Sequence, residues 1–554
     1  MTDIRSFYAD VAACSNLRWD EAEGRYVIAI PEKANIAADT IGRHAQGAAR
    51  DKIALIYEHE DGCVEELSFA DLDTRANRLA VALRRLGVGK GDPVAVHTGQ
   101  RPETAIAHMA IYKLGAVVLT LSQLYGPDTL GHVLTHSGAR VILTETASWS
   151  RLGLDPFATG QLEHVIAIDE AGPGMLAYAD CLPEDDGGFR PVETAADDPA
   201  LLMYTSGSTG LPKGLLHSHR VLHAYLPTVA MFYDLELDHP DARFWSPADW
   251  AWVGGLLDLV LPAWLAGQTV VASQHRFDAE WSFDFMARHR ITHSFMTPTA
   301  LKRLAETAKP RERWDLALRV VCTGGESLPG EIVRWAEREL GITCNEFYGL
   351  TEFNHLVGNC RRLYEIKPGS MGRAYPGRVV AVIDDQGNPV PDGEVGEIAA
   401  RDDDATLFLG YWGDLGVPER LRVGRWLRTG DLARRDGEGY FWYQGRNDDL
   451  IKSAGYRIGP AEVEDTLLRH PRVVEAAVIG KPDPDRGAIV MAYVKLADGA
   501  EGSDEIKREL QAFVKTNLAA YKYPREIAFV SAFPLTSSGK IRRNELRRLA
   551  TQDA

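Results

Sequence analysis

The stretch LLMYTSGSTGLPKGLLHS, residues 201–218, decides how the rest of the chain is read. An apolar strand runs into Thr205, Ser206, Gly207, Ser208, Thr209 and Gly210, and a second apolar run resumes after Lys213 and Gly214. Glycines permit a tight turn with several N–H groups pointing inward, hydroxyls donate to phosphate oxygens, and Lys213 adds a mobile positive charge. This is chemistry for holding a polyphosphate. A flexible Ser/Gly linker has a similar composition, but linkers are rarely flanked by apolar runs on both sides. The spacing is not that of a Walker A loop, in which Gly-Lys is followed by Ser or Thr; here Lys213 follows Pro212 and precedes Gly214.

On either side of this loop, strand and helix patterns alternate. Residues 67–87 have apolar residues at helical spacing, with Ser68 as N-cap, Asp71 three residues on and a stop at Gly87. DPVAVHTGQ, VVLTLS and VILTET read as strands, and ETAIAHMAIYKLGA as a helix. After the loop, HRVLHAYLPTVAMF is a helix and TVVAS, THSFMT and RVVCTG are strands. Such alternation predicts parallel α/β layers. Between about 370 and 445 the texture changes to short strands split by DQGNP, PDGE and RDGEG, a β-rich unit. From about 448 the chain returns to mixed α/β, and the polar stretch GRNDDLIK marks the expected boundary between residues 1–447 and 448–554.

A chain of 554 residues exceeds a single core, and 45% hydrophobic with 25% charged residues is a globular balance. The net charge of −17 disfavours nucleic acid and anionic membrane surfaces as partners, while leaving room for a local basic pocket for a phosphorylated small molecule. Six scattered cysteines, with no CxxC and no short-spaced Cys/His set, indicate neither a zinc site nor a disulfide framework and fit a reducing compartment. The first twenty residues have no long apolar core and the last five carry no lipidation or peroxisomal signal, so a cytoplasmic protein is expected. The most apolar stretch, Trp250 to Ala272, contains Asp258, Pro262 and Gln268 and reads as a buried helix plus strand.

The loop at 204–214 resembles the phosphate loop of the adenylate-forming superfamily of acyl-CoA synthetases, peptide-synthetase adenylation domains and luciferases. Four further stretches match in the family's order: GGESLP (324–329), YGLTE (348–352), the long block 428–464, and PLTSSGK (534–540). The resemblance implies a mixed α/β fold. Two α/β subdomains and a β-barrel-like subdomain would form a large N-terminal body, with a small mobile α+β C-terminal domain attached.

The resemblance also implies roles. ATP, Mg²⁺ and coenzyme A would take part, the last as a substrate. Thr205, Ser206, Ser208, Thr209 and Lys213 would hold the β- and γ-phosphates, with Gly207 and Gly210 shaping the loop. Gly324, Gly325 and Glu326 would line the adenine, Tyr348 would belong to the ATP site, Thr351 would contact the α-phosphate and Glu352 would coordinate Mg²⁺. Asp431 would accept the ribose hydroxyls, with Arg446 as a second ribose contact. Lys540 would bridge the acyl carboxylate and the α-phosphate during adenylation. Asp448 would be the hinge, Gly455, Tyr456 and Arg457 would line the pantetheine tunnel, and Lys452 would lie near the active site in the second state.

Trp250, Trp252, Val253 and Gly254 would border the acyl pocket, although their apolar sequence is equally good core. Gly349 stands where acetate-specific relatives carry a tryptophan that closes the pocket; glycine is expected to admit longer or branched chains. The PADWAW stretch most resembles the medium-chain acyl-CoA synthetase branch, which also takes some aromatic acids. Leu350, Phe353, Asn354 and His355 depart from that branch, and Phe353 and His355 would either narrow the pocket or pack beside the metal site.

His217, His219 and His223 need not converge on a metal, Asp402, Asp403 and Asp404 read most simply as a solvated loop, and Arg542, Arg543, Arg547 and Arg548 as exposed positions of a basic helix. The expected function is an AMP-forming acid–CoA ligase acting on a short, branched or medium-chain fatty acid. The alternatives are an aryl acid–CoA ligase, a stand-alone adenylation enzyme loading a carrier-protein thiol, and a non-catalytic nucleotide sensor. A homodimer is allowed. If Gly455 lines a tunnel, Gly455→Leu should spare acid-dependent pyrophosphate release and abolish acyl-CoA formation. Equal loss of both half-reactions removes the tunnel role.

Overall fold

The computed structural model describes residues 4–552 apart from 154–160, 206–211, 327, 454–455, 485, 498–501, 519 and 536–539, and it leaves the side chains of Asp448, Lys452, Tyr456 and Arg457 undescribed. Serine, glycine and threonine positions 206–210, Gly455 and the Ser-Ser-Gly before Lys540 therefore lie outside the described residues.

Two large sheets and a smaller α+β unit account for most of the chain. In the first sheet, Pro93–His97, Val117–Thr120, Val141–Thr144, His164–Ala167, Leu176–Ala177 and Pro199–Thr205 run parallel. Lys213–Ser218 folds back antiparallel on Pro199–Thr205, so Thr205 stands opposite Lys213. The expected helix between the first strands forms as Phe69–Arg85. Ser68 and Asp71 make a complete capping box, with the Asp71 amide on the Ser68 hydroxyl and the Asp71 carboxylate on the Ser68 amide.

The second sheet has two halves. Its parallel half runs Ile53–Glu58, Thr269–Ser273, Arg243–Trp245, His293–Phe295, Val320–Thr323 and Thr343–Leu350 in spatial order. At Thr343–Leu350 the direction changes. Asn354–Gly358 returns antiparallel, and Gly372–Ala374, Tyr440–Arg446, Trp426–Arg435, Val395–Arg401 and Val380–Ile383 continue antiparallel. The β-rich part is thus hydrogen-bonded directly onto the parallel half. Barrel-like closure is not among the described pairings; a single strand with both edges paired links the two parts instead.

One apolar core holds the two sheets together through residues such as Val94, Tyr225, Phe232, Trp264 and Phe347. The stretch Trp250 to Ala272 forms a helix from Val253 to Leu265 and the strand Thr269–Ser273, as expected. No described helix is long and apolar enough to cross a membrane.

Beyond Arg446 the described strands pair only among themselves. A 3₁₀ turn, Asn447–Asp449, leads to the hairpin Ile451–Ser453 and Tyr456–Ile458. The helix Pro460–Leu468 and the sheet of Val473–Asp483, Gly487–Leu496 and Glu526–Phe529 follow, with their own core around Ile451, Val463, Val478 and Leu510.

Two charge readings change. Asp404 is not solvated: its side chain is 3% exposed and paired with the fully buried Arg378, because the Thr406 amide and hydroxyl, at 2.9 and 2.8 Å, also draw it inward. Arg543 donates to both oxygens of Glu464 at 2.8 Å, and Arg547 pairs with Asp449. The last helix therefore braces the C-terminal unit rather than trailing as a charged surface. Removing one partner of a buried pair leaves the other charge stranded, so Asp404→Ala should cost about 3–5 kcal/mol. Arg378→Met combined with Asp404→Leu should recover much of it, measured as denaturation midpoints.

Candidate functional site

The ends of three segments meet at Asp431. This carboxylate is 6% exposed and lies on Trp426–Arg435, directly opposite Arg446 in the strand register. The Tyr348 hydroxyl donates to one oxygen at 2.7 Å and the Tyr443 hydroxyl to the other at 3.3 Å. Burial raises the Asp431 carboxyl above the usual range, while the Tyr348 bond, Arg446, Tyr443 and Lys540 pull it back. The carboxylate is thus oriented by two phenols and keeps acceptor capacity for further hydroxyl donors.

Lys540 reaches this corner from the C-terminal unit. It retains contact with solvent, but the cleft desolvates its ammonium and holds it below the ordinary lysine range. Glu326 and Asp431 oppose that effect and Arg446 adds to it. Glu326 follows the strand Val320–Thr323 and accepts the Thr299 hydroxyl at 2.7 Å. Gly324 permits this turn to approach closely, since a Cβ there would come within 2.6 Å of the Phe347 ring. Sites more than 200 residues apart in sequence, Glu326 and Lys540, therefore act on one another.

The phosphate-loop stems are held from one side by the helix Pro127–Ser137. His136 bonds the Tyr204 hydroxyl at 2.7 Å and His132 the Pro212 carbonyl at 3.1 Å, with their rings stacked 5.5 Å apart. These two histidines, with Lys213, Gly214, Tyr411 and Trp412, line a cavity of about 320 Å³. The Lys213 ammonium lies 5.5 Å from the Tyr411 ring centre, and the Tyr411 hydroxyl donates to Glu352 at 3.1 Å. Thr351 lies against His217, whose imidazole burial pushes down to about 4. His132, His136, Tyr411 and Tyr443 were not singled out from sequence. Only the i, i+4 spacing of the two histidines on an amphipathic helix offered a signal.

His217, His219 and His223 diverge, His219 accepting the Ile36 amide at 3.2 Å and His223 meeting Asp39 at 3.0 Å. Among the described residues no group of three His, Cys, Asp or Glu side chains is placed to hold a metal. Glu352 offers a single carboxylate, a donor set that suits Mg²⁺ completed by substrate phosphates and water.

Around the expected acyl pocket the residues separate. Trp250 is 1% exposed and packs edge-on to Trp264 in the core, 6.5 Å between centres. Trp252 caps the helix that starts at Val253, half-buried, with Tyr125 edge-on at 5.8 Å. At Gly254 a Cβ would overlap the Phe295 ring, and at Gly349 it would overlap the Asn354 carbonyl oxygen. Gly349 is therefore demanded by the tight return of the chain. Phe353 and His355 are both buried at 2%. Asp448 falls in the 3₁₀ turn, and Lys452, Tyr456 and Arg457 in the hairpin after it, Lys452 opposite Arg457.

Fold and site together define a nucleotide-handling enzyme whose charged groups converge from two bodies of the chain. The model of the AMP-binding enzymes matches residues 42–412, and that of the AMP-binding enzyme C-terminal domain matches residues 462–540. The chain belongs to the AMP-binding enzyme family. It is 38% identical to an uncharacterized acyl–CoA ligase, YtcI, of Bacillus subtilis, over 91% of this chain and 94% of that one. It is 34% identical to the acetyl-coenzyme A synthetase of the same organism, over 96% and 93%. The structure of an anthranilate CoA ligase in complex with anthranoyl-AMP superimposes with a TM-score of 0.84 at 28% identity, covering 95% of this chain and 98% of that one. The protein is an AMP-forming acid–CoA ligase.

Charged hydrogen bonds are worth about 1.5–3 kcal/mol each. If Asp431 accepts the ribose hydroxyls, Asp431→Ala should raise the KM for ATP by about 10–100-fold. Tyr443→Phe should raise it only a few-fold, since Tyr348 still orients the carboxylate; initial rates at saturating acid check both.

Proposed function

We propose that this enzyme joins a short, branched or medium-chain aliphatic carboxylic acid to coenzyme A in two steps. In the first, the acid carboxylate attacks the α-phosphorus of ATP, pyrophosphate leaves and an acyl-adenylate forms. In the second, the coenzyme A thiolate attacks the acyl carbon and AMP leaves with its oxygen. The observation that carries the reading is the convergence of Lys540 with Glu326, Asp431 and Arg446.

Two anions must meet in the first step, so positioning and charge neutralisation dominate. Asp431 and Arg446 hold the ribose, with Tyr348 and Tyr443 fixing the carboxylate. Thr351 and Lys540 face the α-phosphate, and the loop from Thr205 to Lys213 holds the outgoing phosphates. Glu352 would hold Mg²⁺ together with phosphate oxygens, and Tyr411 orients that carboxylate. The ion would supply neutralisation of phosphate charge.

For the second step Lys540 must withdraw, and a turn at Asn447–Asp449 between two separately paired sheets supports a hinge there. The aliphatic preference is supported by the similarity to an acetyl-coenzyme A synthetase. The similarity to both an acetyl-coenzyme A synthetase and an anthranilate CoA ligase leaves aryl acids as the second reading.

Lys540→Ala should lower ATP–pyrophosphate exchange by several orders of magnitude while thioester formation from preformed acyl-adenylate stays nearly intact. Exchange that survives the substitution overturns the assignment of Lys540. A panel of acids followed by mass spectrometry of the coenzyme A products separates aliphatic from aryl substrates.

A further inference from the structure

Beneath the two pocket glycines lies a feature that chain-length arithmetic alone does not anticipate. The helix that begins at Val253 and Gly254 carries Asp258 four residues deeper, on nearly the same face. The strand partner of Gly349 is His355. These two side chains meet: His355 Nε2 and Asp258 Oδ1 are 2.8 Å apart, and His355 Nδ1 lies 3.0 Å from the Thr228 hydroxyl. Their side chains are 2% and 3% exposed. Both elements expected to form the acyl pocket therefore converge on one buried His–Asp pair.

The surroundings are rings. Tyr225, Phe347 and Phe232 stand edge-on to the His355 ring at 4.4, 4.6 and 5.1 Å between centres, and Phe232 stacks on Phe347 at 4.8 Å. Phe295, which fills the space beside Gly254, lies 6.0 Å from Phe347. Thr228 also donates to the Tyr225 carbonyl at 2.8 Å, and the Tyr225 hydroxyl donates to Asn354.

A leucine or phenylalanine at the floor of a pocket can change rotamer to admit a longer chain. An imidazole bonded at both nitrogens cannot turn without breaking two buried hydrogen bonds, each costly to leave unmade. Both ring nitrogens of His355 are engaged, so the floor presents no free nitrogen to a polar group at the far end of an acid.

We infer that the His355–Asp258 pair, braced by Thr228, is a specificity-determining floor that limits this enzyme to short aliphatic monocarboxylic acids. The inference rests on the acid–CoA ligase reading and on the pocket lying between Gly254 and Gly349. It narrows the acids proposed above to their short end. His355 and Asp258 act by shape and rigidity and are not assigned to the chemistry.

The test measures acid-dependent pyrophosphate release by the full-length enzyme for the straight-chain acids from two to ten carbons. The wild-type kcat/KM should peak at a short acid and fall steeply beyond it. His355→Ala with Asp258→Ala removes both partners together and so strands no charge. It should move the peak to acids at least two carbons longer, with a gain of roughly tenfold for those acids, and leave the KM for ATP unchanged. Asp258→Asn keeps a hydrogen-bonding partner for the ring and should keep the wild-type cutoff. If the alanine pair does not fold, His355→Leu with Asp258→Leu, apolar and unbraced, should show the same shift.

A folded double variant with an unchanged length profile overturns the floor while leaving the ligase reading intact, as does a wild-type peak at eight or ten carbons. Failure of the wild-type enzyme to release pyrophosphate with any of these straight-chain acids overturns the floor, and failure with aryl acids as well overturns the ligase reading on which it rests.

Discussion

The strand Thr343–Leu350 is paired in two ways at once, and the active region depends on that. On one edge it runs parallel to Val320–Thr323; on the other it runs antiparallel to Asn354–Gly358. Parallel strands deliver their carboxyl ends to one side of a sheet, where α/β folds bind ligands. An antiparallel partner turns the chain back at once. Tyr348, Gly349, Thr351 and Glu352 are thereby set within one short return, while Phe347 and Glu346 remain buried beneath. The return is so tight that only glycine fits at 349, because the Asn354 carbonyl occupies the place of a Cβ. The same β-rich half, hydrogen-bonded to that edge, brings Asp431 under the Tyr348 hydroxyl.

Close approach recurs as the method of assembly. Gly324 lets the Glu326 turn pass the Phe347 ring, and Gly254 lets the helix start meet Phe295. Phe347 touches both arrangements, and its other face stacks on Phe232. The Glu326 turn and the helix start at Val253 thus share one aromatic ring.

Much of the architecture was legible because its signals are local. The capping box at Ser68, the strand into the phosphate loop, and the turn-rich stretch after residue 370 each declare themselves within a dozen residues. What the sequence concealed are pairings across long separations. His355 and Asp258 are 97 positions apart, Tyr348 and Asp431 are 83 apart, and His136 and Tyr204 are 68 apart. No periodicity encodes such contacts, since they arise from which strands become neighbours. The run Asp402, Asp403 and Asp404 shows the same limit: three identical side chains, of which only the third turns inward, because Arg378 waits there. Trp250 and Trp252 are a further case. Two residues apart, one faces Trp264 in the core and the other faces Tyr125 near the surface, and composition cannot tell them apart.

An acidic chain that handles three anions must concentrate its cations where they are needed, and the two bodies divide that task unequally. Arg446 is tied to Asp431 by strand register, so it stays with the carboxylate whatever the C-terminal unit does. Lys540 belongs to the other body, in which Arg543 on Glu464 ties the last helix to the helix after the turn and Arg547 on Asp449 ties it to the turn itself. A C-terminal unit that swings away as a rigid piece would take Lys540 with it. Asp431 would then lose one cation and keep the other, along with both tyrosine hydroxyls. The Asp431 corner would thus keep Arg446 and both phenols while Lys540, the group proposed for the first step, is withdrawn, an asymmetry that the proposed two-step reaction requires.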